Sequence, residues 1–370
     1  MMQQTKGAGE RVTFAAPRPH HVWPAVDTVR CVLAVKSFAQ ASHIGLGVTA
    51  LCTMKMLRRA GVHVEVWTCA DAADLRARVD ADYGVRPLTH VIVSSPAWVQ
   101  PDDFVALSSA HPEIDFVQLN HSGMAYLSID KHGIHNIRAV ADMELSRHNV
   151  HVAWNNPRGS RWADTALGAG ALLLPNLYDV ESFVTTAPPR VNQDPLRIGS
   201  FGASRPWKNQ LTAAEAAIAL ARRLGVTLEF YVNSGRPEHL HGGRRLVESR
   251  AELFADLPGT KLIDVVWAPW PQFRKVVRTM DLLLMPSFDE TFCVVVADAI
   301  AEGVPAVVTG AMEWAPDRWC CDPWDPSDVA DVGMGLLHDP NPVTHARELL
   351  TDHVDRGTDL WMQYFLRGQG

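Results

Sequence analysis

The sequence predicts an α/β protein with two consecutive doubly wound units that face each other across a cleft. Short apolar runs alternate with helical patterns along most of the 370 residues, which is typical of parallel sheets with helices on both faces. A proline-rich segment at 185–195 interrupts this alternation, which then restarts. The length also exceeds what one core usually supports, so two domains are expected.

Each unit is predicted from its own series of apolar runs. In the first unit we predict strands at 30–35, 62–68, 89–94, 114–120 and 171–174, and helices at 45–60 and 139–147. In the second unit we predict strands at 196–201, 227–232, 262–266, 281–285 and 305–309, and helices at 210–224, 244–255 and 292–301. The domains are therefore placed at 1–188 and 195–340, with a helix in 341–370 that packs back on the body. Ligands of such sheets bind beyond the carboxyl ends of the strands, so the cleft is the expected site.

Composition narrows the class of protein. Apolar residues make up 47% and charged residues 20%, with a formal net charge of -7. This acidic balance argues against binding dominated by nucleic-acid phosphates. The sequence has no run of about 20 apolar residues that would span a membrane, and residues 1–10 lack the apolar core of a signal peptide. We therefore expect a cytoplasmic protein with reduced cysteines.

The segment 285–309 is the strongest functional signal. Its order is a strand, a short polar turn, a helix, a glycine stop and another strand. Ser287 or Asp289 is expected to cap the helix, which places Glu290 at its positive end. Asp298 lies eight residues later, about 80° around such a helix and roughly 12 Å along it. Two carboxylates so spaced, beside free N–H groups that suit a diphosphate, fit the ends of a nucleotide-sugar. Acidic decoration of a helix start is the competing interpretation.

A second signal follows the first strand of the second unit. Gly202 lies at the strand end, and Arg205 and Lys208 follow at the start of the next helix. Arginine binds phosphate through two N–H groups and lysine supplies a point charge, so the pair suits a diphosphate. Two solvated cations on a surface turn are the alternative.

The segment 285–309 resembles the signature of retaining GT-B glycosyltransferases of family 4 (group 1), in which Glu, seven residues and Glu precede an Ala-x-Gly-x-Pro-Val-Val turn. Here Asp298 replaces the second Glu, and the turn contains Gly303 and Pro305. The resemblance implies two facing Rossmann-like domains. It also implies that Glu290 lies by the donor sugar and its phosphate, and that Asp298 binds the ribose. Lys208 matches the family's lysine, whereas Arg205 is displaced from the usual position of the arginine.

Other matches follow in chain order. Gly45 and Gly47 lie where the family has a glycine-rich loop, and His121 lies where it has a histidine close to the reacting sugar. Pro175 falls in a turn like the one before the family's interdomain linker. The implied catalytic residues are His121, Glu290, Lys208 and Arg205. The implied donor-binding residues are Gly45, Gly47, Gly202, Arg205, Lys208, Glu290, Thr291, Phe292 and Asp298.

The predicted activity is transfer of a sugar from a nucleoside-diphosphate sugar, with UDP-glucose as the first guess, to an acceptor hydroxyl. The cations stabilise the leaving diphosphate, so no metal and no cofactor are expected. The alternatives are a non-hydrolysing sugar-nucleotide epimerase and a non-catalytic binding protein of the same fold. The acceptor is open among a glycan, a small metabolite and a hydroxylated nucleic-acid base, and the oligomeric state is not predicted. Seven residues suggest a groove for nucleic acid: Arg138, Arg147, His148, Trp154, Arg158, Arg161 and Trp162.

Overall fold

The computed structural model describes residues 26, 28–37, 44–82, 84, 86–94, 96–184, 194–235 and 242–367. Within them the chain forms two parallel sheets, each covered by helices. The predicted α/β class with two doubly wound units is therefore confirmed. Most of the predicted linker, residues 185–193, lies outside the described residues. No described helix is both long enough and apolar enough to span a membrane.

The first sheet has six strands in the order β2-β1-β3-β4-β5-β6. Its strands are β1 (Arg30–Lys36), β2 (His63–Cys69), β3 (His90–Ser94), β4 (Asp115–Asn120), β5 (Val150–Trp154) and β6 (Leu172–Leu173). Its helices are α1 (Ile44–Arg59), α2 (Ala72–Asp80), α3 (Pro101–Ala110), α4 (Met124–Leu127), α5 (Lys131–Glu144) and α6 (Pro157–Leu167). The central strands β1 and β3 are buried almost throughout, because helices cover both faces of the sheet.

The second sheet has five strands in the order β11-β10-β7-β8-β9. Its strands are β7 (Leu196–Gly199), β8 (Leu228–Val232), β9 (Thr260–Asp264), β10 (Leu282–Leu284) and β11 (Ala306–Val307). The helices that follow are α7 (Gln210–Leu224), α8 (Gly243–Phe254), α9 (Trp270–Val277), α10 (Val294–Glu302), α11 (Pro326–His338) and α12 (Thr344–Phe365). Helix α7 buries five alanines, whose small side chains let the helix lie close to the sheet.

Several boundaries differ from the predicted ones. Helix α5 begins at Lys131 rather than at 139, because the Asp130 side chain accepts a hydrogen bond from the Gly133 amide and caps the helix earlier. Strand β9 lies two residues before its predicted position and is only partly buried. Strand β5 and helices α2, α3, α4, α6, α9 and α11 were not predicted, since their short or mixed apolar patterns gave no clear period.

Two elements tie the units together. Helix α12 packs Leu350 and Val354 into the core of the second sheet and Trp361 and Phe365 into a core of the first. Helix α1 belongs to the first unit, yet its Cys52 packs with the second core. The two cores are therefore in contact along one side of the cleft.

Candidate functional site

Gly202 and Asn233 follow the neighbouring strands β7 and β8 and meet at the carboxyl edge of the second sheet. The Gly202 amide donates to Asn233 Oδ1 at 2.8 Å. Gly202 has a φ of +113°, which an L side chain rarely adopts, so glycine is required here for its backbone. The loop after β7 is thus held in a fixed turn beside the cleft.

Arg205 lies between the two units. Its guanidinium carbon is 5.6 Å from the centre of the Tyr126 ring and 5.7 Å from that of the Trp207 ring. Tyr126 belongs to α4 of the first unit, so these cation–π contacts orient Arg205 across the cleft. The displaced arginine of the sequence pattern therefore does reach the cleft, from its own backbone position.

Lys208 forms an ion pair with Glu290. The two side chains are 16% and 10% exposed, so water screens the pair weakly. Burial opposes the charge on Lys208, but the Glu290 carboxylate outweighs it and raises the pKa of Lys208 above its usual value. Lys208 therefore keeps its positive charge at neutral pH. The second Glu290 oxygen accepts a hydrogen bond from the Thr291 backbone amide at 3.2 Å.

The start of α10 differs from the prediction. The helix begins at Val294, after Cys293 with a φ of +62°, so Glu290 lies in the preceding loop and not on the helix. The expected helical spacing between Glu290 and Asp298 is therefore wrong. Neither Ser287 nor Asp289 caps this helix: the Ser287 carbonyl accepts from the Thr309 hydroxyl at 2.7 Å.

Asp289 instead reaches the first unit. Its Oδ2 atom accepts from the Ala125 amide, in the first turn of α4, at 2.7 Å. A carboxylate at a helix N-terminus is favourable because the free amides there carry partial positive charge. A Cβ atom on Gly123 would lie 2.2 Å from this Oδ2, so the glycine gives the carboxylate its space.

Asp298 is buried on α10. Its Oδ1 atom accepts from the Tyr178 hydroxyl at 2.7 Å and from the Trp270 indole at 2.8 Å. Burial raises the pKa of Asp298 to about 7, although both hydrogen bonds act in the opposite direction. Asp298 is therefore hydrogen-bonded to two other residues of the cleft wall, and both bonds go to the same carboxylate oxygen.

His121 follows β4 and is half-buried. Its Nε2 atom is 2.8 Å from Ser94 Oγ. Burial lowers its pKa to about 4, with the Asn176 side chain acting in the opposite direction. The imidazole is therefore neutral at pH 7. The Thr291 hydroxyl donates to the His121 carbonyl at 3.3 Å and accepts from the Asn155 side-chain Nδ2 at 3.2 Å. These two hydrogen bonds join the units at the centre of the cleft.

The family resemblance implied a glycine-rich loop at Gly45 and Gly47, whereas the helix predicted at 45–60 contains both. In the structure both glycines lie in the first turn of α1. No atom lies within 4 Å of a Cβ added at either position. Gly45 borders the cleft, whereas Gly47 is absent from the residues that line it.

Two adjoining cavities fill the cleft. The larger, of about 270 Å³, is lined by all the predicted site residues except Gly47. The smaller, of about 190 Å³, lies against α4 and α5 of the first unit. Six residues line both cavities: Leu46, His121, Arg205, Lys208, Glu290 and Thr291. The ion pair therefore lies where a ligand in one cavity would meet a ligand in the other.

Sequence reasoning missed the aromatic wall of the larger cavity. Trp267 and Trp270 line it and follow β9, so the rule that sites form beyond strand ends was a usable signal. Asn155 and Asn233, which also line the cavity, likewise follow strands, β5 and β8.

The proposed nucleic-acid groove is not assembled. Trp154 is completely buried and packs against Trp162 at 5.6 Å, so it offers no face for stacking. The Arg147 side chain donates to Ser109 on α3 at 2.9 Å. Arg158 instead reaches the second unit, where it donates to the Gly310 carbonyl at 2.6 Å.

Within the described ranges, no group of three or more His, Cys, Asp or Glu side chains is arranged to hold a metal ion. The cations that line the larger cavity are Arg205 and Lys208.

Three solved structures share this arrangement over almost their full length. Sucrose-phosphate synthase from Thermosynechococcus elongatus aligns with a TM-score of 0.64 at 13% identity, covering 91% of this chain and 99% of that one. Anabaena HepE in complex with UDP and glucose gives 0.56 at 16%, covering 91% and 97%. A UDP-forming trehalose-phosphate synthase from Burkholderia xenovorans gives 0.60 at 12%, covering 91% and 98%. Such low identities establish the fold alone, which is GT-B.

The sequence comparison matches a smaller part of the chain than the structural comparison does. A search of curated proteins found no significant match to the chain. Residues 195–339 match the family model described as Glycosyl transferases group 1. This range contains Gly202, Lys208, Glu290 and Asp298. The second unit therefore carries the sequence pattern of the group 1 glycosyl transferases, within a chain that has the GT-B fold throughout its two sheets.

Proposed function

We propose that the protein is a retaining glycosyltransferase of the family 4 type, which moves a sugar from a nucleoside-diphosphate sugar to an acceptor hydroxyl. The observation that carries the proposal is the junction of the two cavities at Lys208 and Glu290. A transferase needs one site for the donor and an adjoining site for the acceptor, with the reacting bond at their boundary. The match of residues 195–339 to group 1 glycosyl transferases supports the same assignment.

In this proposal the donor occupies the larger cavity. Its diphosphate lies beside Lys208 and Arg205, and the loop that begins at Gly202 lets its backbone come close. Glu290 pairs with Lys208 before the donor binds, and it accepts hydrogen bonds from sugar hydroxyls afterwards. The two cations stabilise the charge that develops on the leaving diphosphate, and we propose that this chemistry needs no metal.

The transfer is proposed to proceed on one face of the sugar. The bond between the anomeric carbon and the diphosphate oxygen breaks, and the acceptor oxygen bonds to the same face. The acceptor proton passes to the leaving diphosphate, so no carboxylate has to act as nucleophile. Neutral His121, near the boundary, positions a sugar hydroxyl and does not carry the proton.

UDP-glucose is the first donor to test. One similar structure contains UDP and glucose, and a second, from E. coli, contains UDP-2-fluoro glucose. We propose a UDP-sugar here by analogy with those proteins. A cytoplasmic location, argued from the sequence, stays a prediction.

The second cavity favours a transferase over a sugar-nucleotide epimerase. An epimerase changes its sugar nucleotide alone and has no use for an acceptor site. Product analysis separates the two, because an epimerase converts the donor without acceptor, whereas a transferase at most hydrolyses it slowly.

A thermal-shift panel of nucleoside diphosphates and their sugars tests the proposal, since a ligand that binds the folded state raises the melting temperature. At a ligand concentration 100-fold above Kd, binding raises the free energy of unfolding by about 2.7 kcal/mol. The Lys208→Met variant is expected to lose the shift. The Lys275→Met variant, which changes an exposed lysine on α9, is expected to keep it. A panel without any shift, with and without EDTA, would refute the proposal.

A further inference from the structure

The smaller cavity combines an aromatic wall with two carboxylates. Tyr126 and Trp207 form an edge-to-face pair, with ring centres 6.1 Å apart. Asp130 and Asp289 line the same cavity and are only partly buried. The C–H faces of sugar rings pack on aromatic rings, and carboxylates accept hydrogen bonds from sugar hydroxyls.

Both carboxylates are held in place. Asp289 Oδ2 accepts from the Ala125 amide at 2.7 Å, and Asp130 Oδ1 accepts from the Gly133 amide at 2.9 Å. Each amide fixes its carboxylate at one oxygen, so the carboxylates are oriented before a ligand arrives. Such preorganisation lowers the entropic cost of binding.

The charge of the cavity disfavours an anionic ligand. Its charged lining residues are Asp130, Asp289, Glu290, Arg205 and Lys208. Lys208 and Glu290 neutralise each other as an ion pair. The remaining charges are the two carboxylates of Asp130 and Asp289 and the single cation Arg205. A phosphate placed there would meet like charges, which costs affinity.

A second aromatic pair continues outside this cavity. Phe288 and Trp324 have ring centres 4.2 Å apart, and Trp324 is 78% exposed. We call them the outer pair. The Phe288 amide donates to the Trp207 carbonyl at 2.8 Å, so the pair lies beside the cavity wall.

The outer pair is fixed and lies among acidic residues. The Asn209 side chain donates to the Pro323 carbonyl at 2.7 Å, which ties the loop of Trp324 to the residue after Lys208. Asp322 and Asp325 flank Trp324 on either side along the chain. An exposed indole in this setting suits a neutral ligand better than a polyanion.

We propose that the acceptor is an uncharged glycan of at least two sugar units. Its reacting unit lies against Tyr126 and Trp207, with hydroxyls bound by Asp130 and Asp289, and its next unit lies on the outer pair. The proposal rests on the glycosyltransferase function proposed above and names its acceptor class. It excludes sugar phosphates and nucleic acid as preferred acceptors.

The experiment first establishes a donor by thermal shift and donor hydrolysis in the wild-type protein. Transfer from that donor is then measured with three groups of acceptors: neutral mono- to tetrasaccharides of several linkages, monosaccharide phosphates, and oligonucleotides with hydroxymethylated bases. Trp324→Ala, Trp324→Phe and Leu145→Ala are compared. Leu145 is 79% exposed and lies at the end of α5, so its variant controls for loss of an exposed apolar side chain.

We expect transfer to neutral oligosaccharides, with a KM that falls as the chain grows from one unit to two or more. Trp324→Ala should raise the oligosaccharide KM about tenfold, as loss of one stacking contact predicts. Its kcat and its monosaccharide KM should change less than about twofold, since Trp324 lines neither the donor cavity nor the cavity proposed for the reacting unit. Trp324→Phe should restore most of the affinity, and Leu145→Ala should have no effect.

Three results would overturn the proposal while leaving the glycosyltransferase function in place. They are preference for a phosphorylated or nucleic-acid acceptor, no transfer to any neutral saccharide although donor is bound and hydrolysed, and equal KM values for Trp324→Ala and wild type. If no sugar nucleotide binds at all, the proposed function fails as well.

Discussion

At the scale of single residues, the proposed diphosphate site depends on the ion pair of Lys208 and Glu290. Both side chains are largely buried, so each needs the other while the cleft is empty. A bound diphosphate would compete with Glu290 for Lys208, and this exchange couples donor binding to the position of Glu290.

A double-mutant cycle tests the pair. Lys208→Met and Glu290→Gln should each lower the free energy of unfolding by about 3 kcal/mol, because each leaves one buried charge without its partner. The double variant should lose less than the sum of the two. Chemical denaturation measures all four proteins. The double variant is expected to keep its fold, so its failure to bind nucleotide would trace to the missing cation. If the stability losses of the two single variants add up in the double variant, Lys208 and Glu290 are not coupled.

Asp298 gives a prediction that depends on pH. Its pKa of about 7 in the folded protein exceeds the usual 3.8, so the folded state holds the proton more tightly than the unfolded chain. The stability it contributes is therefore complete below about pH 4 and is lost as the pH rises through 7.

In the Asp298→Asn variant, the side-chain oxygen still accepts from Tyr178 and Trp270, but the group no longer ionises. Its melting temperature relative to wild type should rise by about 2–4 °C between pH 5 and pH 8. The exposed Glu215→Gln serves as the control, and its difference from wild type should stay flat across that range. A flat difference for Asp298→Asn would mean that this carboxyl titrates normally.

At the scale of elements, the sequence predicted the sheets better than the loops that make the site. The strands β1, β3 and β4 are runs of apolar residues that helices cover on both faces, so their pattern was readable. The apolar run that begins at Phe292 was read as a continuous helix. Cys293 interrupts it with a left-handed conformation that no local pattern indicates.

Long-range contacts are the other feature that local sequence patterns did not reveal. Asp289 was interpreted as a cap of its own helix, but it caps α4, 164 residues away in the chain. Asp298 is held by Tyr178 and Trp270, which both lie outside its helix, and its contact with a ribose stays a prediction. No pattern within a single segment reveals such partners. The identities of the residues at the cleft followed from strand order, whereas their partners required the packed molecule.

Replacing two glycines by alanine distinguishes a glycine required for packing from a glycine required for ligand binding. Gly123→Ala should lower stability by about 1–2 kcal/mol, because its Cβ displaces the Asp289 carboxylate and the Ala125 amide loses its acceptor. Gly45→Ala should leave stability unchanged or raise it by about 0.5–1 kcal/mol, since the residue is helical and its Cβ meets no atom. Thermal melts compare the two. If Gly45→Ala nevertheless weakens nucleotide binding, the donor approaches the first turn of α1, and unchanged binding would exclude that approach.

At the scale of the whole molecule, the two units are packed together along one side of the cleft and meet through few contacts across it. Helices α1 and α12 join the two cores along the packed side. Across the cleft the units meet through single contacts, such as Asp289 with Ala125 and Thr291 with His121. Domains joined in this way are expected to open and close, which in transferases admits the donor and then excludes water.

Arg158 supplies a further, solvent-accessible contact between the units. It lies on α6 of the first unit, donates to the carbonyls of Gly310 and Ala311 at 2.6 and 3.4 Å, and pairs with Glu313 at 3.2 Å. Its side chain is 47% exposed, so water screens the ion pair and its contribution to stability is at most about 1 kcal/mol. That amount is small for folding, but it changes the ratio of closed to open molecules about fivefold.

We therefore expect the Arg158→Ala variant to keep its melting temperature but to populate an open cleft. Small-angle scattering should show a radius of gyration about 1 Å above the roughly 21 Å typical of a compact body of this length. The donor KM should rise severalfold, because part of the binding energy is spent on closing the cleft. Arg161→Ala is the matched control, since Arg161 lies on the same helix and approaches Glu313 only to 3.6 Å. If both variants scatter like wild type and bind donor equally well, the contact of Arg158 with the 310–313 loop does not hold the units together.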